Sequence, residues 1–333
     1  MRFIDNCIKN KIFEADEFAD VRQIIEIHKI IIAVSGGADS LALADLLCRS
    51  QRRFKLELCI AHFEHGLRGN DSLEDAEFVK KFAENIGIRC FIESGDVKGF
   101  AKLKKISIET AAREMRYQFF ENLRQQLCFD AIALAHHAND QAETILMRIL
   151  RGTGSVGLSA MKLNNNHLLR PLLNFKKSEL EDYCFKRNLR PRIDKTNFET
   201  DVSRNKIRLN LLPILKEYNP SIIDTLCRLG ASSADEADFI KSEALKIFPS
   251  AIRVVGKSQI ELSQSIVNLQ HVAIQRALIR IFVERSIGNI KEFGFVHFES
   301  IRQVINNNLN GVELPHKFRA NLKRGWLKLI KNA

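Results

Sequence analysis

The chain has 333 residues, 45% of them apolar and 27% charged, with 51 Lys/Arg against 40 Asp/Glu and a formal net charge of +11. That length suits two or three domains, and the balance of apolar and charged residues excludes a disordered chain. No apolar run reaches the roughly 20 residues of a membrane span, and Met1-Arg2-Phe3-Ile4-Asp5-Asn6 opens no long apolar stretch, so a cytoplasmic protein with no membrane partner is expected.

From the N-terminus, the first strong signal is Lys29–Val34, a β-branched apolar run that predicts a buried strand. It ends in Ser35-Gly36-Gly37, which demands a tight turn. A helical pattern follows at once over Asp39–Arg49, with Leu43, Leu46 and Leu47 on one face. Strand, glycine turn and helix start together outline a phosphate cradle. Glycines let the backbone approach an anion, and the helix N-terminus offers unpaired N–H groups to it. A plain βα turn has the same outline. The loop is neither a Walker A sequence nor a Gly-x-Gly-x-x-Gly dinucleotide fingerprint.

Further elements follow in alternation. Leu56–His62 predicts a second strand and Leu73–Ile86 a helix closed by Gly87. Ile88–Ile92 predicts a third strand, Ile108–Gln126 a long helix, Phe129–Ala135 a fourth strand, and Asp140–Arg151 a helix stopped at Gly152. Such alternation means a parallel sheet with crossover helices, which binds ligands at the carboxyl ends of its strands. Ser35–Ser40, His62–Arg68 and His136–Glu143 fall at those ends. Asp140 and Glu143, spaced i, i+3 in a first helical turn, share a face where their charge is favoured. As a carboxylate pair they suit Mg²⁺ or a substrate ammonium, or simply cap the helix.

Residues 153–210 are looser, with Gly154, Gly157, Pro171 and Pro191. Beyond them the chain reads as mostly helical: Ser221–Phe248 with a possible break near Gly230, a short β or loop link over Pro249–Leu262, then helices over Val267–Arg285 and Phe295–Asn306. The domain boundary is expected near Leu215–Ser221, dividing residues 1–215 from 216–333. Residues 241–333 hold 15 Lys/Arg against 6 Asp/Glu, and no acid follows Glu313. This excess suggests a polyanion such as nucleic acid, with a solubilising surface as the alternative. The seven cysteines are never closer than 11 residues apart, which gives no zinc ribbon, redox pair or cluster motif.

Ser35-Gly36-Gly37-Ala38-Asp39-Ser40 resembles the signature loop of the PP-loop (N-type) ATP pyrophosphatases. Ala135–Gly152 resembles the second diagnostic motif of the tRNA(Ile)-lysidine synthetases within that superfamily. Four further stretches resemble that family in order: Ala61–Arg68 (with Glu64 where an Asp is usual), Glu109–Tyr117, Arg170-Pro171-Leu172-Leu173, and Asp194–Asn197 with Ser203–Arg208. The resemblance covers residues 30–215. It implies a five-stranded, Rossmann-like (adenine nucleotide alpha-hydrolase-like) α/β fold with helices on both faces; the mainly helical basic region that follows is expected to bind tRNA from its charge.

The implied reaction takes ATP, Mg²⁺, free L-lysine and an isoleucine tRNA with a CAU anticodon. The C2 oxygen of the wobble cytidine is adenylated, then lysine displaces AMP to give lysidine. In that reading Ser35, Gly36, Gly37, Ala38, Asp39 and Ser40 hold ATP, and Asp39 holds Mg²⁺. Arg113 and Arg116, i, i+3 on one helix, face developing phosphate charge, with a surface ion pair to Glu109 or Glu114 as the alternative. Asp140 and Glu143 bind or deprotonate lysine, and His136 orients a group or relays a proton. Arg204 and Arg208 reach the cytidine or its phosphates, or form a solvated face. Beyond the resemblance, the charge of the tail alone assigns tRNA binding to Lys323 and Arg324, with Trp326 a stacking residue or a packing anchor. His62, His65 and Arg68 line the rim or structure the loop. A homodimer is common among such proteins. The rival readings are another PP-loop tRNA enzyme such as a thiolase, a small-molecule PP-loop synthetase, and a non-catalytic RNA-binding relic. A thiolase usually needs paired cysteines, and a small-molecule enzyme needs no basic helical half.

Overall fold

The β-branched run forms strand β1, Lys29–Ala33, in which Ile31 and Ile32 are fully buried. The computed structural model describes residues 27–67, 70–192, 202–256, 259–288, 290 and 292–332. Arg68 and the Asp194–Asn197 stretch lie outside them. The chain divides into two units, one comprising residues through Met147 with Met161–Cys227, the other Arg148–Ala160 with Arg228–Ala333.

In the first unit β1 pairs in parallel with β2 (Glu57–Glu64) and with β4 (Ala131–Ala133). β3 (Arg89–Ser94) extends the sheet beyond β2, and β6 (Leu168–Leu169) extends it beyond β4, both in parallel. These are the five expected parallel strands. The two-residue β5 (Asn164–Asn165) adds an antiparallel sixth at the edge, giving the order β3-β2-β1-β4-β6-β5. Ordered this way, the ends of β1, β4 and β6 stand side by side.

Side-chain alternation along β1 and β2 builds a core on each face. Ile30, Ile32, Leu58 and Ile60 pack one way with helices α1 (Ala38–Phe54) and α2 (Asn70–Asn85). Ile31, Cys59 and Ala61 pack the other way with α3 (Val97–Lys104) and α4 (Ile108–Gln126). Each fully buried isoleucine contributes about 2 kcal/mol from removal of its surface from water. Cys59 behaves as a small core residue, its thiol pushed up to about 12 by burial. Ser107 starts α4 by accepting a hydrogen bond from the Thr110 amide at 3.1 Å, so the helix begins where the sequence pattern places it.

The second unit carries the expected helices, including Val272–Ile287 and Phe295–Ile305, on a core of Phe248, Leu278, Phe282 and Ile301. The helix Ile222–Ala251 runs unbroken past Gly230. Beside them lies a five-stranded antiparallel sheet, ordered β7-β8-β11-β10-β9, built from Ile252–Val255, Gln259–Ser263, Val312–Leu314, Phe318–Lys323 and Trp326–Lys331. The helical reading of the basic tail omitted this sheet. Its alternation is visible in Leu327 and Leu329, which are buried on either side of Lys328.

A charged triad is built into the sheet. Glu261, fully buried, takes Arg253 at 2.6 Å and Lys328 at 2.6 Å, and Arg253 stacks on Trp326 at 4.1 Å. Glu261→Gln leaves two cations without their counter-charge. It is expected to cost about 2 kcal/mol, less than a fully buried pair because both cations retain access to water. A lowered Tm in thermal unfolding checks this; an unchanged Tm would show the triad to be neutral.

Candidate active site

The loop after β1 is fixed by its own hydroxyls. Ser40 Oγ accepts from the Ser35 amide at 3.2 Å and donates to the Gly37 carbonyl at 2.9 Å. Ser35 Oγ lies 3.2 Å from Ser40 Oγ. Gly36 sits at φ +92°, a conformation that strains any residue with a Cβ, and its carbonyl accepts from the Arg192 amide at 3.0 Å. Gly37 caps α1 in extended geometry without a side-chain bond. The first amides of α1, from Ala38 onward, have no intrahelical partner and face the concavity this loop makes.

Asp39 stands in that first turn with its Oδ1 buried and unpartnered. Its Oδ2 lies 3.6 Å from Nε2 of His137. The same Nε2 is 3.5 Å from Oδ2 of Asp140, so one buried imidazole joins the loop of β1 to the helix that follows β4. Burial opposes the charge of His137, yet Asp39 and Asp140 outweigh it and hold the imidazole above its ordinary value. Asp140 is pulled below the ordinary carboxylate range: burial opposes this, but the His137, His136 and Arg204 charges prevail. His137 carries no local signal beyond its place in a His-His pair.

Helix α5 (Ala138–Leu150) carries the acidic pair. Glu143 is 1% exposed, which makes its two cationic partners obligatory. Arg204 donates from Nε to Glu143 Oε2 at 2.7 Å, and Arg208 from Nε to Oε1 at 2.6 Å. Arg208 also donates from Nη2 to Oε2 at 3.0 Å, and Arg204 reaches Asp140 Oδ1 at 3.4 Å. The two arginines therefore form a carboxylate clamp inside the site. Gln141, one turn along, holds Met161 by exchanging amide hydrogen bonds of 2.9 and 3.0 Å.

Arg113 and Arg116 both pack on the Tyr117 ring, at 4.9 and 5.8 Å. Burial and the charge of Arg113 push Arg116 below its ordinary value. His136 Nδ1 is buried and unpartnered. His62 supports the loop from below, its Nδ1 lying 2.8 Å from the Val34 carbonyl, and Glu64 Oε1 accepts from the Gly66 amide at 2.6 Å. In the second unit Lys323 ends the strand Phe318–Lys323, and Arg324 stands in the tight turn before Trp326–Lys331.

The His136 imidazole, lowered to about 4 by burial and by nearby arginine charge, gives a pH test. The unfolded chain binds this proton near 6.5 and the folded chain does not, so stability falls as pH drops from 6.5 toward 4. His137, raised when folded, contributes stability that is complete below 6.5 and is lost only at higher pH. Between pH 6.5 and 4.5 the loss through His136 is about 2 to 3 kcal/mol. Denaturant titrations at both pH values are expected to show it, and His136→Gln should flatten that slope.

Residues 10–215 match the PP-loop domain family. The chain is similar to a protein of Clostridium perfringens (strain ATCC 13124) named tRNA(Ile)-lysidine synthase, with 44% identity over 223 residues, 66% of this chain and 48% of that protein. It is similar to the proteins of that name from Clostridioides difficile (strain 630), 36% identical over 84% of this chain and 61% of the relative, and Clostridium acetobutylicum, 38% identical over 88% and 64%. It thus spans about half to two thirds of the length of these relatives. Its fold is similar to that of a U34-tRNA thiolase from Methanococcus maripaludis, with a TM-score of 0.56, 17% identity, and coverage of 69% of this chain and 78% of that one.

Proposed function

The chain belongs to the PP-loop domain family, and from that premise we propose that it is an ATP-dependent tRNA(Ile)-lysidine synthetase. The supporting observation is the His137 bridge, in which one imidazole meets Asp39 of the anion cradle and Asp140 of the carboxylate pair. In the proposed first step the wobble cytidine C2 oxygen attacks the α-phosphorus of ATP. The new O–P bond forms as the bond to pyrophosphate breaks. In the second, the side-chain amine of lysine attacks C2 and AMP leaves with the original oxygen.

Ser35–Ser40 holds the phosphates through backbone amides and hydroxyls. The buried, unpartnered Oδ1 of Asp39 fits Mg²⁺, which is commonly bound by one or two carboxylates and completed by phosphate oxygens. Bound there, the ion would neutralise charge on the leaving pyrophosphate. Asp140 and Glu143 hold the lysine ammonium and take its proton, and His137 keeps them in register with the loop. Arg204 and Arg208 fix Glu143 beside the cytidine or its phosphates. Arg113 and Arg116 face phosphate charge.

Residues 1–215 are proposed as the catalytic domain and 216–333 as the tRNA-binding region of a cytoplasmic enzyme. Among the described residues no helix is long and apolar enough to cross a membrane. Replacing Lys323 and Arg324 together with Ala should weaken tRNA binding and reduce the slope of log affinity against log salt by about 1.5. An unchanged slope would remove the hairpin from the interface. The function itself is tested with unmodified isoleucine tRNA, ATP and labelled lysine: ATP-dependent label in the tRNA is expected, and its absence would refute the assignment.

A further inference from the structure

Arg170 follows β6 and is 7% exposed. Its amide donates to the Leu163 carbonyl at 2.8 Å and its Nη1 to the Lys162 carbonyl at 2.9 Å, which fixes backbone and guanidinium together. Its Nε is buried with no partner. It joins no ion pair among the described residues, unlike buried Glu143 and Glu261, which each hold two cations. A buried cation without a counter-charge is costly, and a site that keeps one is complete only with an anion bound. His136 Nδ1, at the end of β4, is also buried without a partner, and the charges of Arg170 and Arg113 act on that imidazole.

Resting on the function proposed above, we propose that Arg170, with Arg113 beside it, receives the α-carboxylate of the amino-acid substrate. The amino acid then lies across the end of β4, its side-chain amine on Asp140 and Glu143 and its carboxylate on Arg170. Strand order supports a carboxylate over an ATP phosphate. β6 is two strands from β1, about 10 Å from the strand that carries the phosphate cradle. Burial supports a small ligand over a tRNA backbone phosphate, since a guanidinium 7% exposed offers a polynucleotide little surface to contact. The guanidinium fork matches the two oxygens of a carboxylate.

The test compares L-lysine with L-lysinamide and 1,5-diaminopentane as amine donors to the tRNA, using the full chain. The wild-type protein is expected to show a KM at least about tenfold higher for both analogues, the scale of a lost charge-assisted contact. In Arg170→Gln the KM for lysine should rise by a similar factor, so that the ratio of diaminopentane to lysine KM collapses toward one. Arg170→Lys should restore part of it. Wild-type protein that uses lysinamide and diaminopentane as well as lysine overturns the proposal, whether or not the variants fold. A persistent KM ratio in Arg170→Gln, with loss of lysine-independent pyrophosphate release, would assign Arg170 to a phosphate and also overturn it. If the wild-type protein transfers no amine, the functional reading fails and the role of Arg170 falls with it.

Discussion

Asp39→Asn is expected to reduce tRNA-dependent pyrophosphate release by at least about a thousandfold, the scale seen when a preorganised charge is removed from a transition state. Asparagine keeps the shape of the side chain and its place in the first turn of α1. It loses the charge that the buried Oδ1 directs into the cradle and that Oδ2 presents to His137 at 3.6 Å. Because Asp39 makes no ion pair to a basic side chain other than His137 among the described residues, folding should change little. A Tm within about 2 °C of wild type would be consistent with a surface-like effect on stability. Wild-type pyrophosphate release by Asp39→Asn would show that the residue is not in the phosphate site.

Glu143→Gln is expected to separate the two steps. Pyrophosphate release should persist to about one equivalent per tRNA, while AMP release and lysine transfer fall by about 100-fold or more. The residue is 1% exposed and clamped by Arg204 and Arg208, so its charge both holds the amine and keeps two arginines in place. Removing that charge leaves both guanidinium groups without their carboxylate, and stability should drop by about 3 kcal/mol. Asp140→Asn provides the control on position. It should impair lysine transfer and also lower the His137 imidazole toward its ordinary value, an effect readable by NMR titration. If Glu143→Gln stops pyrophosphate release and leaves lysine transfer from a preformed adenylate intact, the assignment of the two steps is wrong.

The cradle was legible in the sequence because every cause of it is local. Ile30–Ile32 are β-branched, Gly36 needs a positive φ, and Asp39 and Ser40 fall in the first helical turn. The helix Ile108–Gln126 was legible as a long helical pattern, and the structure adds its Ser107 cap. The carboxylate pair was legible from i, i+3 spacing, but its partners were not. Arg204 and Arg208 meet Glu143 across more than 60 positions, and no local pattern encodes that contact. His137 was hidden for a related reason, since its role depends on the adjacency of β1 and β4. The tail strands were masked by lysines, although Leu327 and Leu329 alternate with them at the strand period. Arg170 stands in the Arg170-Pro171-Leu172-Leu173 stretch with no local sign of a role, because burial is what gives it one.

The most direct measurement is mass analysis of the nucleoside at the wobble position after the protein is incubated with a CAU-anticodon isoleucine tRNA, ATP, Mg²⁺ and L-lysine. The account predicts a cytidine heavier by one lysine less one water, formed only when ATP and lysine are both present. Unmodified cytidine, or a product carrying sulfur in place of oxygen, would contradict it.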